Sequence, residues 1–349
     1  MPTHYSVRTA LRRPRPQMTP RNADVAALTY RLTALDRWLV RLLHDHDVLT
    51  TNQIITLTAR GHRATSRRLS TLHLLGVLDA FRPFLTTGSA PYHYTVGPAG
   101  AAILAAARAV DVRTLRWRPD ATSRIAHSPW LAHDVGRNEF MVRLAADHYH
   151  RPENRMTLWA GEHVCKALWA DHIHPDAYAH ITHTPTDGGR RRTVAFFVEH
   201  DTGSMRPERV DAKLAGYAAL AASTHPPTST LVLVHASTPG REKALRTLLG
   251  PTATALGVPV ATTNSTAHDT DSPLADIWLP IGTCAERTTL LGLRRTFPQA
   301  GPAPVAPGTW TPDAADPQTH GALPWPPTPP LPPPVVGPIT DPAPHGEVG

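Results

Sequence analysis

Four acidic residues and one lysine in the middle of the chain have the types and spacing of a hydrolytic metal site. Pro175-Asp176 precedes a β-rich stretch, Glu199 and Asp201 end the next one, Lys213 falls in the helical pattern that follows, and Glu139 in the helical pattern before. Carboxylates gathered at strand ends can hold Mg²⁺, which takes oxygen ligands and helps water attack a phosphodiester. A nearby lysine orients that water or stabilises the developing negative charge. On this reading Asp176, Glu199, Asp201 and Lys213 are the catalytic candidates, and Asp176 and Glu199 the Mg²⁺ ligands, with Glu139 as an additional candidate. Each residue also has a plain structural role open to it. Glu199 and Asp201 can cap a strand and pair with Arg206 or Arg209, Asp176 can open a turn, and Lys213 can sit in solvent; only the joint placement favours chemistry. His172 and His174 stand beside Asp176, but 21 histidines are scattered through the chain, so an HxH argues little for zinc. No GxxxxGK[ST], GxGxxG or GxSxG occurs, which argues against P-loop, Rossmann and serine-hydrolase chemistry.

The elements that must position these side chains follow from periodicity. Over 130–150, Leu131, Val135, Phe140, Met141 and Leu144 recur at helical spacing. A hairpin follows, with strands over about 177–184 and 193–199 joined through Asp187-Gly188-Gly189. The stretch 207–222 carries Val210, Leu214 and Tyr217 on one side of a helix, and 230–234 is a near-continuous apolar run, as in an interior strand. A helix over 241–249 and a strand over 258–262 complete an α/β domain at 128–297.

A different pattern occupies 29–118. Thr33 with Asp36 and Thr50 with Gln53 are capping-box starts, each worth about 1 kcal/mol. Three helices then follow, the third over about 64–75 with Leu69, Leu72 and Leu75 inward and Gly76 at its end. After Gly76 the period falls to two, giving a hairpin with a turn at 86–89, and an alanine-rich helix closes the unit. Three helices and a hairpin predict a winged helix-turn-helix. Its third helix presents Arg63, Ser66, Arg67, Arg68, Ser70 and His73, and its wing Arg82 and His93, as candidate contacts to double-stranded DNA. The same layout also serves protein interaction or dimerisation, so a homodimer stays open.

Charge favours DNA. Residues 1–120 hold 17 Arg, no Lys, 7 Asp and no Glu, whereas the other 229 residues hold 18 basic and 21 acidic side chains. All the excess positive charge of the chain, net +7, therefore sits on one segment, as expected of a face that meets a polyanion. An Arg-rich genome explains 32 Arg against 3 Lys but not the scarcity of acids in that one segment. Residues 1–28, with Arg12, Arg13 and Arg15 among prolines, predict a basic flexible arm, and 119–127 a linker. Residues 298–349 hold 17 of the 37 prolines and predict a disordered tail of polyproline character, open to a partner that reads Pro-rich peptides. Two cysteines without a framework, no apolar signal core and no membrane-length apolar run predict a cytoplasmic protein with no membrane partner.

Pro175-Asp176, the hairpin and Glu199-His200-Asp201 together resemble the PD-(D/E)xK nuclease superfamily, which implies a restriction-endonuclease-like core. That family expects lysine two residues after the acid, where this chain has Asp201; some members place it on the next helix, where Lys213 lies. Taken whole, residues of about 30–285 resemble the replication-relaxation family of actinobacterial plasmids and integrative elements. The resemblance is carried by Leu49-Thr50-Thr51-Asn52-Gln53-Ile54, Leu75-Gly76-Val77-Leu78, Gly88-Ser89-Ala90-Pro91-Tyr92-His93-Tyr94 and Gly97-Pro98-Ala99-Gly100. Two further blocks, the more specific ones, are Glu199-His200-Asp201-Thr202-Gly203 and Lys213-Leu214-Ala215-Gly216-Tyr217. It implies a role in replication or relaxation of mobile-element DNA and assigns no catalytic roles. Two expectations stand side by side: Mg²⁺-dependent phosphodiester cleavage, or a non-enzymatic regulator whose α/β domain is an inactive nuclease used for dimerisation or partner binding.

Overall fold

Side-chain caps start the helices of the first unit where the sequence places them. In the computed structural model, which describes residues 22–85, 88–203, 206–270, 272–282, 286–305 and 327–334, Thr33 and Asp36 exchange both capping-box hydrogen bonds at the start of α2 (Ala34–His46). Thr50 and Gln53 do the same at α3 (Thr51–Thr58). A helix α1 (Asn22–Arg31) precedes them, so the expected basic arm gives way to helix at Asn22, and residues 1–21 lie outside the described residues. After α4 (His62–Leu74) the chain turns at Gly76, whose φ of 69° favours glycine, into β2 (Leu78–Phe81). With β1 (Leu49–Thr50) and β3 (His93–Val96), β2 forms an antiparallel sheet of order β1-β3-β2. The helix α5 (Pro98–Ala107) packs close on this sheet through Gly100, where a Cβ would meet the Val77 carbonyl oxygen at 2.2 Å. Trp38, Leu42, Leu43, Ile54, Leu57, Leu69 and Leu72 fill the interior.

Downstream, α6 (Ala121–Ala126), α7 (Leu131–Ala146), β4 (Asn154–Gly161), α8 (Glu162–Trp169), β5 (Ala177–His183), β6 (Arg192–Asp201), α9 (Pro207–Ala222), β7 (Leu231–Ala236), α10 (Pro239–Leu256), β8 (Val260–Asn264), α11 (Ser265–Thr270), β9 (Leu279–Pro280) and α12 (Leu293–Thr296) follow in order. The strands make one six-stranded mixed sheet in sequence order β4-β5-β6-β7-β8-β9. β4, β5 and β6 run antiparallel, β6, β7 and β8 parallel, and β9 antiparallel again. Strand alternation splits the sheet's apolar side chains between two layers. Met156, Ala179, Phe196, Val198 and Leu233 join Phe140 and Met141 of α7. Leu158, Tyr178, Phe197, Val232 and Val234 join Val164 of α8, Leu214 of α9 and Leu245 of α10. The molecule is therefore an α+β protein with a mixed sheet between helical layers.

The two units share one apolar interior, because the α7-side layer runs on into the core of α2–α5. Backbone groups of the first unit are satisfied from α7 and its continuation. The Asn138 amide donates to the carbonyls of His46 (3.2 Å) and Val48 (2.7 Å), and the Tyr149 hydroxyl to that of Leu57 (2.6 Å). In return the Gln53 amide donates to the Val135 carbonyl (2.9 Å). The segment 119–127 is not a free linker: it contains α6, and Thr122 bonds Thr95 in the sheet (2.7 Å). Parts of the Pro-rich tail are also packed. Pro304 accepts from the Trp169 indole (2.6 Å), Pro329 accepts from the Trp38 indole (2.8 Å), and the Thr328 amide donates to Asp45 (2.8 Å). Apart from 298–305 and 327–334, the expected tail lies outside the described residues. No helix among the described residues is long and apolar enough to cross a membrane.

Candidate functional site

Glu199, near the end of β6, is the centre of a buried ionic cluster. Lys213, seven residues into α9, donates from Nζ to Glu199 Oε2 (2.5 Å), and Tyr217, one turn further on, donates from its hydroxyl to Oε1 (2.6 Å). The i, i+4 spacing puts Lys213 and Tyr217 on one face of the helix. Asp176, just before β5, brackets Glu199 along the backbone. Its amide donates to the Val198 carbonyl (3.1 Å), and its carboxylate accepts from the His200 amide (2.7 Å). Its other oxygen lies 3.3 Å from His133 Nε2 on α7. The structure thus brings Asp176, Glu199 and Lys213 together, and adds His133 and Tyr217.

Burial sets the protonation pattern. It pushes Glu199 up to about 7, with the charge of Asp176 adding to the shift and Lys213 and Tyr217 opposing it. Burial would also raise Asp176, but His133 and Lys213 outweigh it and hold that carboxyl well below its ordinary range. For Lys213 the cost of burial is exceeded by the charges of Glu199 and Asp176, so its pKa rises and the ammonium stays charged. His133 is raised likewise, the hydrogen bond and charge of Asp176 overcoming burial. A pair of carboxylates driven apart in acidity beside a fixed cation is a pattern that recurs at functional sites.

Two of the expected members stand elsewhere. Asp201 is clamped by Arg241, which donates from Nε (2.6 Å) and Nη2 (3.1 Å), so its oxygens are held in a structural fork. Glu139 is exposed on α7, next to buried Phe140, and the contacts of Glu199 and Asp176 described above do not involve it. No group of three or more His, Cys, Asp or Glu side chains converges as a metal site among the described residues. Mg²⁺ asks less than that. It is held by one or two carboxylates and completes its shell with water and phosphate oxygens. Asp176 and Glu199 are two carboxylates of that kind, and all four of their oxygens have partners: the His200 amide and His133 on Asp176, Lys213 and Tyr217 on Glu199.

A histidine layer lies behind the carboxylates. His200 and His235 stack with ring centroids 5.0 Å apart and Nδ1 atoms 2.9 Å apart, an arrangement in which one ring donates and the other accepts. Burial lowers the pKa of both, to about 4 for His235. Gly136 makes room for this layer, since a Cβ there would meet His200 Nε2 at 2.6 Å. Trp130, 53% exposed, sets its ring against His133 at the rim of the cluster, with centroids 6.4 Å apart. Periodicity puts Tyr217 with Val210 and Leu214 on the apolar side of its helix and misses its role; the i, i+4 spacing after Lys213 is the signal that points to it. Nothing in the sequence marked His133 or Trp130 among the many histidines and aromatics of the chain.

The second candidate region is α4. Arg63, Arg67 and Ser70 are exposed on it, and Arg60 and His62, which the sequence argument overlooked, extend the exposed basic end. The helix carries no acidic residue. The other expected DNA contacts are engaged or enclosed within the fold. Arg68 forks onto the buried carboxylate of Asp36, with Nε 2.9 Å from Oδ1 and Nη2 on Oδ2, and serves the α2–α4 contact instead. Burial opposes the charge on Asp36, yet Arg68 and Thr33 keep its pKa lowered. His73 is buried beside the Leu78 carbonyl (3.2 Å). His93 is buried against Phe81 in the sheet, and burial lowers its pKa to about 4. Ser66 is half-buried with its hydroxyl oxygen enclosed. Arg82 donates to the Ala90 carbonyl (2.5 Å) and lies over the Tyr92 ring, holding the hairpin ends together. A helical wheel could not separate these from Arg63 and Arg67, because their partners come from other elements.

The replication-relaxation family model matches residues 40–232, more than half of the 349, from the middle of α2 into β7, and so includes both α4 and the Asp176, Glu199 and Lys213 cluster. No curated protein and no solved structure matches the chain. On the extent of the family match, the chain belongs to the replication-relaxation family.

Proposed function

We propose that this protein binds double-stranded DNA through a winged helix-turn-helix formed by α2–α5 and β1–β3, and cuts one strand with the cluster around Glu199, in the replication or relaxation of DNA that its family's name describes. The order α7, β4, α8, β5, β6, α9, β7 supports a restriction-endonuclease-like core, with Asp176 entering one strand, Glu199 leaving its neighbour and Lys213 on the following helix. The observation that carries the reading is the Lys213–Glu199–Tyr217 contact with Asp176 anchored on both sides of Glu199.

In this mechanism Arg63 and Arg67 neutralise phosphates and fix the register of the duplex. Asp176 and Glu199 would hold Mg²⁺, which when bound lowers the pKa of a water and offsets charge on the phosphate. Lys213, kept protonated by the two carboxylates, stabilises the oxyanion that develops as water attacks. His133 holds a proton at Nε2 against Asp176 and orients that carboxylate. Trp130 offers an exposed ring on which a base next to the cut can stack.

Incubating supercoiled plasmid with the protein and Mg²⁺ or Mn²⁺ tests the reading. Open-circular product is expected from the wild type and is expected to vanish in Asp176→Asn and Glu199→Gln. Because Glu199 must be ionised to take the cation, cleavage should rise as pH increases through about 7. Clean protein that shifts DNA but never nicks it would replace this reading with the regulator. That second reading has its own support, since Lys213 and Tyr217 already occupy both oxygens of Glu199.

A further inference from the structure

A cavity on the helical side of the sheet has no part in the mechanism above. It measures about 870 Å³ and opens on the α8 side of the sheet, beneath the tip of the β5–β6 hairpin. Neither Asp176, Glu199 nor Lys213 lines it, so it is a separate place. Four arginines stand on its rim: Arg190, Arg191 and Arg192 at the hairpin tip and Arg294 on α12, all exposed. No Asp or Glu lines it. Two exposed arginines elsewhere in this chain pair with carboxylates, Arg113 with Asp111 and Arg116 with Asp47, whereas no carboxylate lines this mouth. A concave surface with four guanidinium groups and no counter-charge is arranged for an anion.

The interior of the cavity is of another kind. Leu158, Ala195 and the edges of Trp169 and Tyr178 form an apolar floor, and the chain at 300–305 forms a far wall, fixed by the Trp169 indole on the Pro304 carbonyl and by the Ala303 amide on the Tyr178 hydroxyl. A line of hydroxyls, Thr157, Thr182 and Thr193, runs up one side at spacings of 3.4 and 3.0 Å. Arg294 is held at the rim by a bond from Nη1 to the Thr193 carbonyl (2.8 Å), which leaves its other N–H groups for a ligand. A DNA backbone track would be a shallow charged groove, whereas this is a recess with an apolar base and a cationic mouth, of a size that suits a small ligand.

We infer that this cavity binds a small phosphorylated ligand with a ring-bearing body, a nucleoside triphosphate being the nearest chemical class. The body enters against the floor, with hydroxyls on the threonine side, and the phosphates remain at the mouth among Arg190, Arg191, Arg192 and Arg294. The inference does not depend on DNA cleavage.

Equilibrium binding of ATP to the full chain, read by calorimetry, tests it, with pyrophosphate, adenosine and an eight-nucleotide oligo-dT as further probes. Saturable ATP binding is expected, tighter than that of pyrophosphate or adenosine. Arg191→Ala with Arg192→Ala is expected to weaken it about tenfold or more, since charge-assisted bonds are lost. These arginines are exposed at a hairpin tip, and unchanged thermal unfolding of the variant will show that the fold is intact. Three results would overturn the proposal: no saturable ATP binding, equal affinity in the double variant, or oligo-dT binding at this mouth in preference to ATP.

Discussion

The N-terminal unit and the mixed sheet use arginine and acid in opposite ways. On α4, Arg63 and Arg67 face outward from a helix that has no acidic residue. Around the sheet three buried acids are matched by cations, Glu199 by Lys213, Asp201 by Arg241 and Glu242 by Arg287, while Arg190, Arg191, Arg192 and Arg294 stay exposed at the cavity mouth. Outward charge contributes little to folding and is available to a polyanion, whereas inward charge must be satisfied in place or it destabilises. Arg68 marks the boundary, because it lies on α4 and yet belongs to the inward class.

The largest effect on the inward class should come from acid. Burial lowers the pKa of His46 to about 3 and of His93, His163 and His235 to about 4. In the unfolded chain each binds a proton near 6.5, so the unfolded state holds more protons and stability is lost as pH falls from 6.5 towards 4. Each such histidine removes up to about 1.4 kcal/mol per pH unit in that window. The urea midpoint should drop steeply between pH 6.5 and 5; a flat or rising midpoint would mean these rings are not held neutral inside.

Next in size is Lys213→Met, which leaves two buried carboxylates without their cation and should cost about 3–5 kcal/mol. Adding Glu199→Gln to that variant should restore part of the loss. A single variant as stable as the wild type in urea would remove Glu199 from the inward class. Smaller again is the contrast within α4 itself. Arg68→Ala should cost about 1.5–3 kcal/mol through its charged bonds to Asp36, whereas Arg67→Ala should stay within about 0.5 kcal/mol. Equal costs would erase the boundary drawn at Arg68.

Much of this division was legible in local chemistry. The two capping boxes, the Gly76 turn, the Asp187-Gly188-Gly189 turn and the apolar run of β7 are read from neighbours in sequence, and they stand where expected. What was not legible depends on partners far along the chain. β4, with the polar and charged pattern Asn154-Arg155-Met156-Thr157, becomes a strand because β5 pairs with it, and α8 is too short to show a period. That Asp176, Glu199 and Lys213 come together could be read in advance because each sits at an element end or on a helix face that periodicity fixes. The ion-pair partners of Asp201 and Arg68 were not legible, because Arg241 lies forty residues on and Asp36 thirty-two residues back.

The central claim is that the outward arginines of α4 meet phosphates, and the salt dependence of DNA binding tests it most directly. Fluorescence anisotropy on a duplex from the chain's own upstream region, repeated over a series of salt concentrations, should give a steep fall of log K with log salt. Replacing Arg63 and Arg67 together by alanine should reduce that slope by about 1.8, at about 0.9 per phosphate released. A double variant with the wild-type affinity and the wild-type slope would contradict the account.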